Sequence, residues 1–329
     1  MTHIPVLTRA AVDGLEVRSD GVYVDCTFGR GGHTRALLAC LGPAGRVLAL
    51  DRDPRAISVA RELAQSEPRL SVFHSTFDQL AQIVANAQLL GELQGVLFDL
   101  GVSSPQLDDA QRGFSFRNDG PLDMRMDPSA GVPVSDWLNV AQEKEIGQVL
   151  MRYGEETHAR RIARSIVQAR ADKPLTSTRE LSELVRDAYP ARARHGARHP
   201  ATKTFQALRI FVNEELQCLE AALPQALECL APGGRLAVIS FHSLEDRMVK
   251  RFFRAQHRAP GPKDLPIQGT PTGELAWLSK AIRADEAEVA ANPRARSATL
   301  RVAQKRRDPG DELLRVEVRK AVRTRRAPC

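Results

Sequence analysis

Short apolar runs recur along the first hundred residues and alternate with stretches of helical spacing. β-Branched and aliphatic residues dominate four of these runs, which we interpret as strands at 22–25, 46–50, 70–74 and 95–99. Between them, apolar positions three or four residues apart predict helices, for example over residues 54–63, where Pro54 suits a first turn. Strands that alternate with helices predict a parallel, doubly wound α/β sheet, whose ligands lie beyond the carboxyl ends of the strands.

This alternation stops near residue 110 and returns near residue 205. Between these points the apolar positions follow helical spacing only, and Ser177 to Glu180 has the form of a capping box, which begins a helix. We therefore predict an inserted all-helical domain at 110–205. The sheet domain would then be discontinuous, at 1–109 and 206–329.

The last third of the chain predicts a long helix and two further strands. Apolar residues from Phe205 to Leu227 mark one helical face, with Pro224 as the position where the helix could kink. A Pro-Gly-Gly segment at 232–234 predicts a turn into a buried strand at 235–240. Residues 299–303 predict a late strand at the antiparallel edge of the sheet.

The first predicted strand ends in an acid and leads into a loop rich in glycine. Asp25 ends the strand, and Gly29, Gly31 and Gly32 follow. A glycine loop between strand and helix lets backbone N–H groups approach a nucleotide closely, and glycine tolerates positive φ. A second acid, Asp51, ends the next strand, where a carboxylate can accept hydrogen bonds from a ribose diol. This pattern predicts a nucleotide cofactor site.

The loop alone does not identify which cofactor is bound. Counted from Gly29, the dinucleotide fingerprint G-x-G-x-x-G/A ends on Thr34 instead of glycine or alanine. An acid that closes the first strand, here Asp25, is typical of class I methyltransferases and favours S-adenosylmethionine. A nicotinamide or flavin site is one alternative. A glycine turn that only packs a helix against a strand is the other.

The composition of the chain argues against a membrane protein, a secreted protein and a zinc protein. No apolar run approaches the ~20 residues that span a bilayer, and no N-terminal segment resembles a signal peptide, so we expect a soluble cytoplasmic protein. The five cysteines are scattered and form no C-x-x-C pair, which argues against a disulfide framework and a zinc site. Acids and histidines never cluster at ligand spacing, so no metal is predicted.

Positive charge is concentrated at the C-terminus. Residues 291–329 contain twelve Lys or Arg and four Asp or Glu, a net charge of +8, and since the whole chain carries +7 the remainder sums to −1. Such a segment suits RNA better than a membrane, because no amphipathic apolar face accompanies it. A solvated tail without a role is the alternative. A second basic run, at 192–203, could clamp a phosphate backbone or be a plain connector.

Several longer motifs resemble one family. They are the loop at 25–33 and the segments 3–7, 50–54, 99–109, 113–116, 119–127, 153–156, 199–202, 204–210, 240–247 and 292–297. Together they span nearly the whole chain and are similar to the bacterial 16S ribosomal RNA cytosine-N(4) methyltransferases of the RsmH (MraW) family. Residues past about Lys305 look like a segment added beyond the part of the chain that resembles the family.

The resemblance implies a class I (Rossmann-like) methyltransferase fold with S-adenosylmethionine as cofactor. It also implies that the cofactor contacts are Gly31, Gly32, His33, Asp51, Phe77, Asp99 and Gln106. The implied reaction is methylation of the exocyclic amine (N4) of one cytosine in 16S rRNA of the small ribosomal subunit. An RNA-binding assembly factor that keeps the cofactor fold without activity is the alternative.

Catalytic residues do not follow from the resemblance. Many amino methyltransferases carry a D/N-P-P-Y motif after the fourth strand, whereas this chain reads Asp99-Leu100-Gly101-Val102 there. Alignment of the reacting atoms can lower the barrier by ~7–11 kcal/mol, so no strong base is required. The target base must be unpaired or flipped out, and we expect the insertion to help form its pocket. Candidates that accept from or position the amine are Ser103, Ser104, Asp123 and His242.

Overall fold

The structure of the protein is a computed structural model, and it describes residues 5–194, 199–257 and 273–307. Within these residues the strands are β1 (Val22–Asp25), β2 (Arg46–Asp51), β3 (Leu70–His74), β4 (Leu93–Asp99), β5 (Leu230–Ser240), β6 (Leu275–Trp277) and β7 (Thr299–Lys305). The α-helices are α1 (Thr8–Leu15), α2 (Gly32–Cys40), α3 (Pro54–Ser66), α4 (Leu80–Asn86), α5 (Ser104–Asp108), α6 (Val134–Val140), α7 (Glu143–Gly154), α8 (Ala159–Asp172), α9 (Thr178–Ala188), α10 (Ala201–Val212), α11 (Glu215–Cys229), α12 (Ser243–His257) and α13 (Glu286–Ala291).

The strands form one mixed sheet in the order β3-β2-β1-β4-β5-β7-β6. Strands β1 to β5 pair in parallel, while β7 runs antiparallel to both β5 and β6. The chain winds outward in one direction from β1 to β3 and in the other from β4 onward. The carboxyl ends of β1 and β4 therefore flank the point where the winding reverses, which is where open α/β sheets bind ligands. The predicted doubly wound α/β sheet is confirmed.

Alternate residues of the strands build an apolar layer on each face of the sheet. One layer joins the strands to α4, α11 and α12 through residues such as Val24, Leu48, Phe98, Val84, Leu223 and Phe253. The other joins them to α1, α2 and α3 through residues such as Tyr23, Val47, Leu97, Ala11, Leu37 and Ala60. Burial on both faces explains why these strands read as continuous apolar runs in the sequence.

Strand β5 begins earlier than predicted. Leu93 of β4 pairs with Leu230, but the next paired position on β4, Gly95, lies opposite Arg235. The residues between, 231–234, bulge out of the register, and Gly233 has a φ of +86°. The predicted Pro-Gly-Gly turn is therefore a bulge within a longer strand, because the apolar Leu230 pairs with β4 before the bulge.

The predicted position of the last strand was wrong. β7 lies between β5 and β6 instead of at the edge, and the three-residue strand β6 lies outside it. Folded structure also continues past Gln304, because Arg306 is buried and its N–H donates to the Glu274 carbonyl at 2.8 Å. Of the basic segment 291–329, for which we expect RNA binding, residues 308–329 lie outside the described residues.

The long helix predicted from Phe205 to Leu227 is two helices. α10 ends at Val212 and α11 begins at Glu215, and Glu214 between them adopts a φ of +51°. The break lies at 213–214 because the buried side chain of Asn213 makes hydrogen bonds there. Its Oδ1 accepts from the N–H of Met126 at 2.7 Å, and its Nδ2 donates to the carbonyl of Met124 at 2.7 Å. α11 continues through Pro224, the position where we expected a kink.

The chain divides into two compact units, one of residues 1–101 with 218–329 and one of residues 102–217. The first contains the sheet. The described residues of the second form helices and ordered loops, and the apolar positions predicted for α7, α8 and α9 are buried. The capping box at α9 is confirmed, because the Glu180 N–H donates to Ser177 Oγ and the Ser177 N–H donates to the Glu180 carboxylate, both at 3.2 Å. Recognition of a substrate by residues 110–205 stays a prediction.

Among the described residues, none of the helices has the length and apolar character that a bilayer span requires.

Replacing Asn213 by Ala should destabilise the second unit. The change leaves the N–H of Met126 and the carbonyl of Met124 without their side-chain partner in a buried loop, and an unsatisfied buried group costs about 1–3 kcal/mol. We expect the free energy of unfolding in urea to fall by about 2 kcal/mol or more. The exposed Asn86→Ala change is the control and should stay within about 0.5 kcal/mol of the parent. Equal losses in the two variants would contradict the role given to Asn213.

Candidate cofactor site

Three acids lie at the carboxyl ends of neighbouring strands in the first unit. Asp25 ends β1, Asp51 ends β2 and Asp99 ends β4. Because β1 pairs in parallel with both β2 and β4, the three strand ends share one edge of the sheet. The loop that leaves β1 at this edge, residues 26–31, leads directly into α2. The structure thus brings together the acids that the sequence places at separate strand ends.

The loop is tied to the strands on both sides of β1. The Phe28 N–H donates to the carbonyl of Leu50 in β2 at 2.9 Å. On the other side, the Asp99 N–H donates to Thr27 Oγ1 at 2.7 Å. Cys26 is buried beneath the loop, and burial raises the pKa of its thiol well above the ordinary value, so it packs as a small apolar residue instead of serving as a nucleophile.

Two glycines, the last residue of the loop and the first residue of α2, are required by the local geometry. Gly31 has a φ of +73° where α2 begins, and a Cβ added there would lie 2.5 Å from the Phe28 ring. A Cβ on Gly32 would lie 2.6 Å from the Pro5 ring. Side chains at these positions would therefore displace the loop or its neighbours. The loop instead brings bare backbone to the edge where the three acids end their strands.

Asp51 holds the loop and keeps capacity for a ligand. Its Oδ2 accepts from the Gly29 N–H at 2.7 Å, and its Oδ1 accepts from the Asp53 N–H at 2.8 Å. Burial raises the pKa of Asp51 to about 6, although both hydrogen bonds oppose the rise. A carboxylate oxygen has two lone pairs, so each oxygen can accept one further hydrogen bond, as the two hydroxyls of a ribose would require.

Asp25 is fully buried and is satisfied within the loop and α2. Its Oδ2 accepts from Thr34 Oγ1 at 2.7 Å, and its Oδ1 accepts from the Thr27 N–H at 3.1 Å. Burial raises the pKa of Asp25, and these two hydrogen bonds together with nearby His33 oppose the rise. Thr34 occupies the last position of the dinucleotide fingerprint, where glycine or alanine is expected. Its hydroxyl is instead the donor that satisfies the buried Asp25 carboxylate. Sequence reasoning noted the mismatch but missed the partner.

His33 lies between two of the acids. It is 4% exposed, and its Nε2 lies 3.3 Å from Asp99 Oδ2. Burial disfavours the imidazolium, but the hydrogen bond and negative charge of Asp99, with the charge of Asp25, outweigh it and raise the pKa of His33. Asp99 Oδ1 is buried and accepts no hydrogen bond from the described residues. An orphaned acceptor at this edge fits a ligand that carries amino or hydroxyl donors.

The remaining predicted cofactor contacts fall in both units. In the first, Phe77 is half-buried after β3, and its ring meets that of Phe98 edge-on with centroids 5.5 Å apart. In the second, Gln106 Oε1 accepts from the Ser103 N–H at 2.8 Å and so caps α5, in which Ser104 is the first residue. The buried Gln106 thus has a structural role of its own, and its contact with a cofactor stays a prediction.

Two catalytic candidates already have strong partners. Asp123 of the second unit accepts two hydrogen bonds from the Arg125 guanidinium, each at 2.8 Å. Burial would raise its pKa, but these bonds and the charge of Arg125 outweigh burial and lower it, so Asp123 is an ionised acceptor. In the first unit, His242 Nδ1 accepts from the Glu245 N–H at 3.4 Å, and its Nε2 lies 3.1 Å from Glu245 Oε1. Nδ1 is therefore engaged, whereas the buried Nε2 makes no hydrogen bond with the described residues, and catalytic roles for Asp123 and His242 stay predictions.

Comparison with known proteins identifies a family, and the similar solved structures given below are distant from this chain. A family model described as the MraW methylase family matches residues 1–306. Similar solved structures include a candidate rRNA methylase from Clostridium thermocellum, with 12% identity, a TM-score of 0.42 and coverage of 94% of this chain and 99% of that one. An rRNA methylase from Streptococcus thermophilus has 11% identity, a TM-score of 0.42 and coverage of 93% and 99%. Because these identities and TM-scores are low, the family match alone identifies the chain.

The Thr34 hydroxyl can be tested by removing it without changing the size of the side chain. Thr34→Val leaves a buried oxygen of Asp25 without its donor, so the free energy of unfolding should fall by about 1–3 kcal/mol. Thr34→Ser keeps the hydroxyl and should lose much less. Urea unfolding of both variants, monitored by circular dichroism, makes the comparison. If valine proved as stable as serine, the hydrogen bond to Asp25 would not be what holds this loop.

Proposed function

The chain belongs to the MraW methylase family, and from this premise we propose that it methylates the exocyclic amine (N4) of one cytosine in 16S rRNA of the small ribosomal subunit. The protein is a methyltransferase, and its cofactor is S-adenosylmethionine. The single observation that carries the proposal is a family match that runs from residue 1 to residue 306 and so covers the whole second unit and most of the first.

We infer that the edge formed by Asp25, Asp51 and Asp99 binds the cofactor. Asp51 would accept from the two ribose hydroxyls, for which its oxygens keep lone pairs. The orphaned Oδ1 of Asp99 would accept from a donor of the cofactor, and His33 would hold Asp99 in place. The remaining proposed contacts are Gly31, Gly32, Phe77 and Gln106.

The protein's task in the reaction is to position and desolvate the attacking amine. S-Adenosylmethionine, when bound, supplies a methyl group on a positively charged sulfur. The cytosine N4 is a weak nucleophile because its lone pair is delocalised into the ring, so acceptors for its N–H bonds would release that pair. Ionised Asp123 is suited to accept, as are the hydroxyls of Ser103 and Ser104, whereas Nδ1 of His242 already accepts from the Glu245 N–H. Alignment of the reacting atoms can supply ~7–11 kcal/mol.

We infer that the RNA is bound partly through electrostatic contacts between basic side chains and phosphates, which do not depend on the RNA sequence. The family match ends at residue 306, and most of the C-terminal cations follow it. These cations and the run at 192–203 would neutralise phosphates without reading sequence. Small subunits are assembled in the cytoplasm, so the proposed reaction places the protein there.

The decisive experiment supplies substrate and cofactor together. Tritiated S-adenosylmethionine is incubated with the full chain and with small subunits from cells that lack the protein, and the 16S rRNA is digested to nucleosides. We expect label in N4-methylcytidine. Tight binding of the cofactor and of subunits without any transfer of label would instead favour an assembly factor that has kept the cofactor fold.

The raised pKa of Asp51 predicts that cofactor binding depends on pH. Its pKa is raised to about 6 by burial, and its ionised form would accept from the ribose, so binding should release a proton. Affinity for S-adenosylmethionine should then rise as the pH increases from about 5 to about 7 and level off above that, with roughly a tenfold gain for each pH unit below the pKa. Isothermal titration calorimetry across this range measures it.

Two variants control this measurement. Asp51→Ala should bind the cofactor at least tenfold more weakly at about pH 7.5, since charge-assisted hydrogen bonds are worth ~1.5–3 kcal/mol each, and should lose the rise with pH. Asp20→Ala removes an exposed acid of the same unit and should behave as the parent. A parent affinity that stays flat between about pH 5 and 7 would remove Asp51 from the binding site.

A further inference from the structure

A stack of three aromatic rings in the second unit runs from the core to the surface. The rings of His199 and Phe116 are stacked, with centroids 4.6 Å apart and planes inclined by 26°. Phe116 in turn meets the Phe205 ring edge-on at 5.0 Å. Phe205 is buried, Phe116 is half-buried and His199 is exposed. The outermost member is therefore a solvent-exposed ring that rests on a rigid aromatic base.

The His199 ring is held in one orientation. Its Nδ1 accepts from the N–H of Ala201, the first residue of α10, at 3.2 Å. The hydrogen bond requires an unprotonated Nδ1, so the ring is neutral with its proton on Nε2. Burial against its neighbours, with the charge of Arg186, lowers the pKa of His199 and favours the same neutral form. Little conformational freedom remains to be lost when another ring covers it.

Three cations belong to the segments that carry these rings or act on them electrostatically. Arg117 follows Phe116 directly in the sequence and is exposed, and Lys203 is exposed in the first turn of α10. Lys203 Nζ donates to the Glu155 carbonyl at 2.9 Å, which places its charge beside that carbonyl and leaves two further N–H donors. Arg186 is close enough for its charge to act on His199. An exposed ring among positive charges matches the two parts of a nucleotide, a flat base and a negative phosphate.

We propose that the His199–Phe116 stack is a platform on which an unpaired base of the substrate RNA stacks, with Arg117 and Lys203 near the adjoining phosphates. This inference rests on the proposed function and names a surface by which the RNA is held. Capping α10 does not account for the arrangement by itself. A cap needs only an acceptor such as Nδ1, whereas the stacking on Phe116 and the exposure of the ring are not needed for it.

Two substitutions separate the cap from the platform. His199→Asn keeps a side-chain acceptor for the Ala201 N–H but removes the aromatic face. His199→Phe keeps the face but removes the acceptor. The probe is a short single-stranded RNA that carries one 2-aminopurine, whose fluorescence is quenched by stacking, and the full chain is titrated into it.

The platform predicts that His199→Asn weakens binding of this RNA by about tenfold and abolishes the quenching, while His199→Phe retains both. Melting temperature and affinity for S-adenosylmethionine should follow the parent in His199→Asn, which shows that folding is intact. Phe116→Leu, which removes the base of the stack, should also reduce the quenching. The proposal is overturned if His199→Asn binds and quenches like the parent, or if His199→Phe loses as much affinity as His199→Asn.

A second measurement separates this proposal from the proposed function. If the parent methylates small subunits and His199→Asn raises the KM for subunits at least fivefold, both stand. If the parent methylates them and His199→Asn leaves the KM unchanged, the platform is wrong and the proposed function survives. If the parent transfers no methyl group while the differences in RNA binding persist, the proposed function fails and the platform stands as an RNA-binding surface.

Discussion

A buried carboxylate must find hydrogen-bond donors or lose its charge, and this requirement organises the ligand edge of the sheet. Asp25 is satisfied by the hydroxyl of Thr34, and Asp51 by the N–H groups of Gly29 and Asp53. These donors belong to the segments that follow β1 and β2. The hydrogen bonds therefore hold the backbone of these segments in place, and they also satisfy the carboxylates. Of the three strand-end acids, only Asp99 keeps a buried oxygen that accepts no hydrogen bond from the described residues. The edge is thus organised before a ligand arrives.

The sequence predicted this edge well and the far side of the sheet less well. β1 to β4 are apolar runs of ordinary strand length, three of which end in acids, so pattern alone located them. β6 has only three residues and carries no such pattern, so its place outside β7 was missed. The break between α10 and α11 was missed for another reason. Both helices continue one apolar face, and the break depends on hydrogen bonds from Asn213 to a loop nearly ninety residues away.

Motifs identify residue types but not the partners that decide their chemistry. His242 and Asp123 were chosen as catalytic candidates from their place in the chain, and the structure pairs them with Glu245 and Arg125. The resulting states differ, since Asp123 is held ionised by Arg125 while Nδ1 of His242 accepts from the Glu245 N–H. Contacts between residues far apart in sequence, such as those of Phe116 with His199, have no local signal at all. Such pairs can be found only in the folded chain.

The account depends on one claim, that the cofactor lies against the strand-end acids, the loop at 26–31 and the first residues of α2, 32–34. Amide hydrogen exchange measured with and without saturating S-adenosylmethionine tests it directly, because exchange reports protection along the whole backbone. We predict slower exchange in this loop and at the carboxyl ends of β2 and β4, with no change in α8, whose residues take no part in the proposed cofactor site. Unchanged exchange in residues 26–34, with protection confined to another part of the chain, would contradict the account.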